Sequence, residues 1–369
     1  MLFRPLALGG LALSNRIAVS PMGQYSARDG CATDWHVMHL GHLAVSGAGL
    51  LIAEAAAIHP DGRGSATDLG IWSDAQAAAL EPVFAFCRRH GGAKLGMQIY
   101  HSGRKGSITS AWEGQQYVPP ELGGWRTCAP SAIAYPGRGV PIELDRRGMD
   151  GLVAQFIDAA RRIDGLGVDL LEMHAAHGYL LHQFLSPLTN RRDDEYGGPN
   201  RMRFPLEVFE AIRRVWPERK ALGVRISATD WVEGGWDMDD SVRFCAALRE
   251  RGCDYIAVSS GGTVPEQQPK IYPGYQVGFA ERIRREAGIP TMAIGLITEP
   301  RQADAILRSG QADMVALARA MLYNPRWPWH AAVELGEKFF CPPQYLRSHP
   351  SLRDMDFLRP APTRQGAGG

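Results

Sequence analysis

The sequence predicts an α/β chain folded as a (β/α)8 (TIM) barrel with a capping insertion after the third strand. Three observations predict it. Short, nearly continuous apolar runs recur eight times along the 369 residues, as expected of parallel strands buried on both faces. Amphipathic segments lie between them. Glycine-containing connectors at Gly167, Gly252 and Gly310 end helices and launch strands, glycine being the natural residue just past a helix C-terminus. No Gly-x-Gly-x-x-Gly follows the first run, which weakens a dinucleotide-binding open sheet. The length permits two domains, but barrels routinely exceed 150 residues as one.

The strands are expected at 16–20 (RIAVS), 49–53 (GLLIA), 94–99 (KLGMQI), 168–173 (VDLLEM), 221–226 (ALGVRI), 255–259 (YIAVS), 290–294 (PTMAI) and 313–317 (DMVAL). Helical periodicity is clearest over 149–166, 202–215, 238–251, 275–287 and 299–309. One connection is too long for a turn. From His101 to about Gly148 the chain is rich in Gly, Pro, Trp and Ser, and a loop of that length in a compact domain is usually functional. Following strand three, it falls on the catalytic face, with the insertion proper at about 103–148. The barrel is expected to run as a single domain over 1–357, and residues 358–369 (LRPAPTRQGAGG) have little to bury and are expected to be disordered.

Composition narrows the function classes. Hydrophobic residues at 45% and charged at 21% are ordinary globular values, and Lys+Arg 40 against Asp+Glu 39 leaves net +1. No bulk field favours nucleic acid or an anionic membrane. No stretch is long enough to span a bilayer, and the N-terminus has no apolar signal region, so a cytoplasmic protein is expected. The six cysteines stand singly, without the Cys-x-x-Cys spacing of zinc or iron–sulfur sites.

In a barrel, chemistry concentrates at the C-terminal ends of strands. Those ends carry Pro21-Met22-Gly23, Glu54-Ala55, Gln98, His174 with His177, Arg225, Ser259 to Gly262, Gly295 and Arg319. The set is rich in amide, imidazole and guanidinium donors and lacks the carboxylate cluster of a hard metal ion. Two imidazoles three apart can donate to one oxygen, polarising a carbonyl or nitro group and stabilising an enolate. Tyr179 then lies near enough to protonate the other carbon. As zinc ligands, the two histidines need a third, which neither Glu172 nor any nearby cysteine obviously supplies. Taken alone, the His-x-x-His spacing reads first as two satisfied histidines in a turn. The ends of strands seven and eight, Ala293-Ile-Gly295 and Ala316-Leu-Ala-Arg319, suit a phosphate, although Arg319 alone would equally be a rim salt bridge. Gln98 can pair with a pyrimidine-like edge and Arg225 with an anionic ring nitrogen, unless Arg225 is merely paired with a carboxylate.

These motifs resemble those of the Old Yellow Enzyme family of FMN-dependent ene-reductases, in its thermophilic-like or xenobiotic-reductase-like bacterial subgroup. The resemblance spans about residues 2–345. It rests on Leu13-Ser-Asn-Arg-Ile17, Ser20-Pro-Met22, Gly70-Ile-Trp-Ser73, Gln98-Ile-Tyr-His101-Ser-Gly-Arg-Lys105, Ala129-Pro-Ser131 and the long block from His174-Ala-Ala-His-Gly-Tyr-Leu180 through Phe184-Leu-Ser-Pro187-Leu-Thr-Asn190 and Glu195-Tyr-Gly-Gly198 to Asn200-Arg201. It implies that Pro21, Met22, Gly23, Ala55, Gln98 and Arg225 contact FMN and that Gly295, Ala318 and Arg319 hold its phosphate. His174 and His177 would bind the substrate oxygen, Tyr179 would be the proton donor, and Tyr25 a second hydroxyl in the pocket. It further implies reduction by NADPH or NADH, then of an enone in the same site by a ping-pong cycle, with no metal, in a homo-oligomer (dimer or tetramer).

Three departures stand out. Gly23 replaces the cysteine usual after Pro-Met, which should alter the flavin potential and the pocket wall. Ala318 replaces a usual glycine. Past Gln344-Tyr345 the C-terminus diverges, so the subgroup's arginine that enters a neighbour's site has only Arg347 or Arg353 as counterparts. An amine-oxidising or dienoyl-CoA-type relative would carry an iron–sulfur cysteine cluster and a longer C-terminal region. A zinc hydrolase lacks ligands, and a silent flavin-binding protein would not need the His/His/Tyr set.

Overall fold

The computed structural model describes residues 1–348. The expected domain limit at 357, the tail 358–369 and Arg353 lie outside the described residues. Eight parallel strands close into a barrel in chain order: β1 (Ile17–Val19), β2 (Leu50–Ala57), β3 (Lys94–Tyr100), β4 (Leu170–Ala175), β5 (Ala221–Ser227), β6 (Tyr255–Ser259), β7 (Thr291–Ala293) and β8 (Met314–Leu317). Each predicted run is one of them. β2 alone is much longer than predicted: it continues past Glu54, where a register shift between Ala53 and Ala55 absorbs the charged residue and sets Ala55 opposite Gln98 of β3. A bulge of this kind re-aims one side chain without ending the strand.

The outer layer contains α1 (Asp34–Ala44), α2 (Asp74–His90), α3 (Arg146–Gly165), α4 (Leu180–Leu185), α5 (Arg203–Val215), α6 (Met238–Glu250), α7 (Val277–Ala287), α8 (Pro300–Arg308), α9 (Arg319–Tyr323) and α10 (Trp327–Leu335). All five periodic segments are helical to within three residues at each end. Periodicity did not single out α2, which carries Pro82 in its interior, yet its start is signalled by the Ser73/Gln76 capping box. Gly167, Gly252 and Gly310 take φ of 71°, 83° and 75°, the left-handed turn that glycine enters without steric cost.

Inside the barrel, Ala18, Leu50, Ile52, Leu170, Tyr255 and Met314 pack in one cluster with Leu8, Leu11 and Leu13 of an N-terminal hairpin. The hairpin turn abuts Arg219 and Asp254, just ahead of β5 and β6, so it plugs the bottom of the barrel. That leaves the top for the site. Between β3 and α3, the long connection has short 3-10 turns, isolated bridges from Ile108 to Ser65 and Tyr117, and a two-residue parallel pairing of Cys128–Ala129 with Ile142–Glu143. Arg104 fastens it, donating to the carbonyls of Ile133, Ala134 and, across the barrel top, Thr263.

Candidate active site

Two cavities open at the top of the barrel and meet at Arg225 on β5. One, of about 170 Å³, is walled by Pro21, Gly23, Ala55, Gln98, His174, His177 and Tyr179, with Tyr25 at its edge. The other, about 240 Å³, is walled by Gly295, Ala318 and Arg319 with Ser259 and Gln276. Of the residues expected to contact the flavin or the substrate, Met22 alone lines neither: its side chain packs against the core, and its carbonyl accepts from Gln24 Nε2. Alternation explains this, since Pro21 and Gly23 face one way along the extended segment and Met22 the other.

His174 is the penultimate residue of β4 and His177 follows in the turn, their ring centroids 5.0 Å apart. His174 Nδ1 accepts the Ala176 N–H at 3.1 Å, so in a neutral ring Nε2 carries the proton. That nitrogen lies 3.2 Å from His177 Nδ1, and His177 Nε2 lies 2.8 Å from Ser259 Oγ. The pair thus forms a relay rather than the expected two-pronged donor. Aiming both N–H groups at one oxygen requires breaking the bond between the rings and releasing His177 Nε2 from Ser259. Burial first, then Arg225, holds both imidazoles well below the usual histidine range, so both are neutral at pH 7.

Burial similarly lowers His101 to about 3 and His39 to about 4. Below the unfolded value near 6.5 the unfolded chain then binds more protons than the folded one, and stability falls as pH drops. Glu54 and Glu172, raised by burial, act in the opposite sense over a range beginning near 4.5. Thermal melts at pH 7.5 and pH 5 are expected to show a clearly lower Tm at pH 5; equal values would contradict buried neutral histidines.

Tyr179 stacks edge-on to His174 at 5.0 Å and lies 5.2 Å from Tyr100. Burial, followed by the charge of Asp68, holds its phenol above the ordinary range, so it is protonated and able to donate. Asp68 itself accepts from Tyr100 Oη and from the Gly64 N–H at 2.8 Å. Tyr25 sits edge-on beneath Trp112 of the long connection, at 5.6 Å. Sequence reasoning missed Asp68 and Tyr100 in this wall. Period-two alternation from Gln98 along β3 would have found Tyr100, whereas Asp68 lies in a loop with no local signal.

Lys105 was also missed. Its ammonium donates to the carbonyls of His177 at 2.8 Å and Gly262 at 2.9 Å, and lies 5.4 Å from the Tyr179 ring centroid. Burial, with Arg138 and Arg104 nearby, pushes it down to about 7. The two segments it ties cross in close contact. His177 has φ 58°, Gly178 71° and Gly262 99°. A Cβ on Gly178 would stand 2.2 Å from the Gly262 oxygen, and one on Gly262 2.5 Å from the His177 carbonyl carbon. Glycine is required at both by space as well as by conformation.

Gly23 is different. A Cβ there would meet only the Tyr25 ring, at 3.6 Å, and its φ lies outside the left-handed region. With the flavin that the resemblance implies, Gly23→Cys is expected to fold normally, shift the flavin midpoint potential and raise KM several-fold for bulky substrates while sparing small ones. Unchanged potential and unchanged kinetics would remove the role given to this glycine.

Arg225 is buried, with Nη1 on Ser20 Oγ at 3.3 Å and Nε without a partner among the described residues. Among the described residues, neither it nor Arg319 makes an ion pair with a carboxylate. Two uncommitted guanidinium groups, one where the cavities meet and one at the far end, fit a ligand with an electron-rich ring and a phosphate. Among the described residues, no three His, Cys, Asp or Glu side chains are grouped to hold a metal ion, and no helix is long and apolar enough to cross a membrane.

A family profile described as "NADH:flavin oxidoreductase / NADH oxidase family" matches residues 1–337. The NADPH dehydrogenase of Geobacillus thermodenitrificans is 45% identical over 352 residues, covering 94% of this chain and 98% of that protein. Among solved structures, morphinone reductase superposes with a TM-score of 0.76 at 30% identity, over 92% of this chain and 90% of that one. An old yellow enzyme homologue from Zymomonas mobilis gives 0.75 at 27% identity, over 92% and 94%.

Proposed function

The chain belongs to the NADH:flavin oxidoreductase / NADH oxidase family, the Old Yellow Enzymes, as a flavoprotein NADPH dehydrogenase, and from that premise we propose that it holds FMN and reduces the activated C=C bond of α,β-unsaturated carbonyl or nitro compounds. The observation that carries this reading is the grouping of His174, His177 and Tyr179 on one wall of the cavity that Arg225 joins to the phosphate-suited one. The similarity to a protein named morphinone reductase supports a ketone-bearing oxidant.

Arg319, with the backbone at Gly295 and Ala318, would hold the phosphate; Gln98 and Arg225 would hold the ring. When bound, FMN supplies hydride transfer. His174 and His177 give up their mutual hydrogen bond, His177 also releases Ser259, and both donate as neutral imidazoles to the substrate oxygen, where negative charge develops. Tyr179 delivers the proton to the carbon α to the activating group, its phenol kept protonated by burial and Asp68. One small chamber serves reductant and oxidant, which therefore take turns.

The test is an anaerobic titration of purified protein with NADPH, followed at the flavin band, and then addition of cyclohexenone. Bleaching and stoichiometric reoxidation are expected. A folded protein that cannot take up FMN would overturn the cofactor, and bleaching without reoxidation would overturn the substrate class.

A further inference from the structure

Beneath the pocket floor lies a carboxylate that none of these steps uses. Glu172, on β4, is fully buried at the centre of the barrel, one turn of the pleat below His174. Its Oε1 accepts from Gln98 Nε2 at 2.6 Å, and its Oε2 accepts from Tyr255 Oη at 2.9 Å. The register seats Gln98 directly opposite Glu172 across the β3–β4 ladder. Tyr255 reaches it by passing over Gly223 of β5, where a Cβ would stand 2.1 Å from the tyrosine ring. A side chain at 223 would close that path.

Both carboxylate oxygens take donors and neither gives one, as expected of an ionised group. A carboxamide beside a carboxylate has one satisfactory orientation, with its NH2 toward the charge. Gln98 therefore turns its carbonyl oxygen to the cavity it lines. An acceptor there suits a ring N–H; an NH2 would repel it. The same carboxylate shares its barrel face with Arg225, which stands two register positions further along the neighbouring strand β5, and it leads the groups that stabilise the Arg225 charge. It moderates the cation that the ring would meet.

We propose that Glu172 is a positioning residue for FMN, fixing Gln98 as a hydrogen-bond acceptor toward the ring and setting, through Arg225, how strongly the site favours the reduced, anionic flavin. The inference rests on the FMN reading above. Burial raises Glu172 from the ordinary carboxylate value, while Arg225, Tyr255 and Gln98 pull the other way, so its charge is sustained by these partners.

The two roles separate in one experiment. Apoprotein of wild type, Glu172→Gln and the swap Gln98→Glu/Glu172→Gln is titrated with FMN by fluorescence quenching, and each loaded form is poised for its midpoint potential, with circular dichroism confirming folding. In Glu172→Gln the new amide donates to Gln98 and reverses it, so FMN affinity is expected to fall tenfold to a hundredfold. Arg225 then loses its moderating charge, and the ratio of reduced to oxidised FMN bound is expected to rise about tenfold, a shift of about +30 mV for a two-electron couple. In the swap, the amide now on β4 donates to the carboxylate now on β3, whose second oxygen is again an acceptor toward the cavity. Affinity is expected to recover toward wild type, and the potential to fall below it because the charge lies nearer the ring.

Wild-type affinity and potential in Glu172→Gln would overturn the inference alone. Folded wild-type apoprotein that does not bind FMN would overturn the functional reading, and the inference with it. Should Glu172→Gln not fold, the swap decides: a folded swap that binds FMN supports the pairing, and one that does not bind overturns it. A purely structural carboxylate predicts no recovery in the swap and no shift in potential.

Discussion

Tyr179→Phe is expected to slow reoxidation by cyclohexenone about 10²–10⁴-fold, the range that a positioned general acid contributes, while leaving reduction by NADPH nearly unchanged. The phenol touches its neighbours through ring faces and edges rather than through structural hydrogen bonds: His174 and Tyr100 lie at 5.0 and 5.2 Å between centroids. Phenylalanine preserves those contacts. The change should therefore remove the proton and little else, and stopped-flow measurement of the two half-reactions separates them. An equal loss in both would mean that the residue shapes the pocket, and no loss in either would send the proton through another donor, with Tyr25 the first to test.

Asp230→Ala should be strongly destabilising. Asp230 is fully buried and accepts from Thr263 Oγ1 at 2.5 Å, Ser186 Oγ at 2.6 Å and the Trp236 N–H at 2.8 Å. His182 Nε2 lies 3.2 Å away, and its Nδ1 accepts the Gly178 N–H at 2.9 Å. Three segments around the catalytic turn, those of Thr263, Trp236 and α4 with Ser186, are thus joined through one carboxylate. Burial works to raise its pKa, but the hydrogen bonds from His182, Ser186 and Thr263 prevail and hold it at about 2. The stabilisation it gives is present above the unfolded value near 3.8 and lost as pH falls through 2. Removing it strands several donors, which costs about 3–5 kcal/mol by analogy with broken buried pairs. A denaturation midpoint within error of wild type would contradict this. Asp230→Asn, which keeps the shape, should lose less.

The architecture was legible because parallel strands buried on both faces announce themselves as apolar runs, and the helix-ending glycines mark where each begins. The strand-end rule then placed Gln98, His174, Arg225 and Arg319 at one end of the barrel before any contact was known. What the sequence could not convey was side-chain direction and long-range partnership. Met22 was expected beside the flavin with Pro21 and Gly23 because the resemblance implies it, yet its half-buried side chain packs against the core. His174 and His177 were expected to share an oxygen, but spacing says nothing of the 3.2 Å bond between them. Asp68, Lys105 and Glu172 act through partners 32, 72 and 74 residues away. No local pattern encodes such distances.

The crossing of Gly178 with Gly262 constrains how this chain can vary over time. A single base change at either codon introduces a side chain for which there is no room, since the other segment's backbone already fills the space. Neither position can then be exchanged alone, and neither exchange prepares the way for the other. Descendants of this sequence should keep both glycines through divergence that reaches most of the surface, while position 23, open on one side, is free to differ between lineages. Diversification of substrate range is thereby channelled away from the histidine turn and toward the opposite wall.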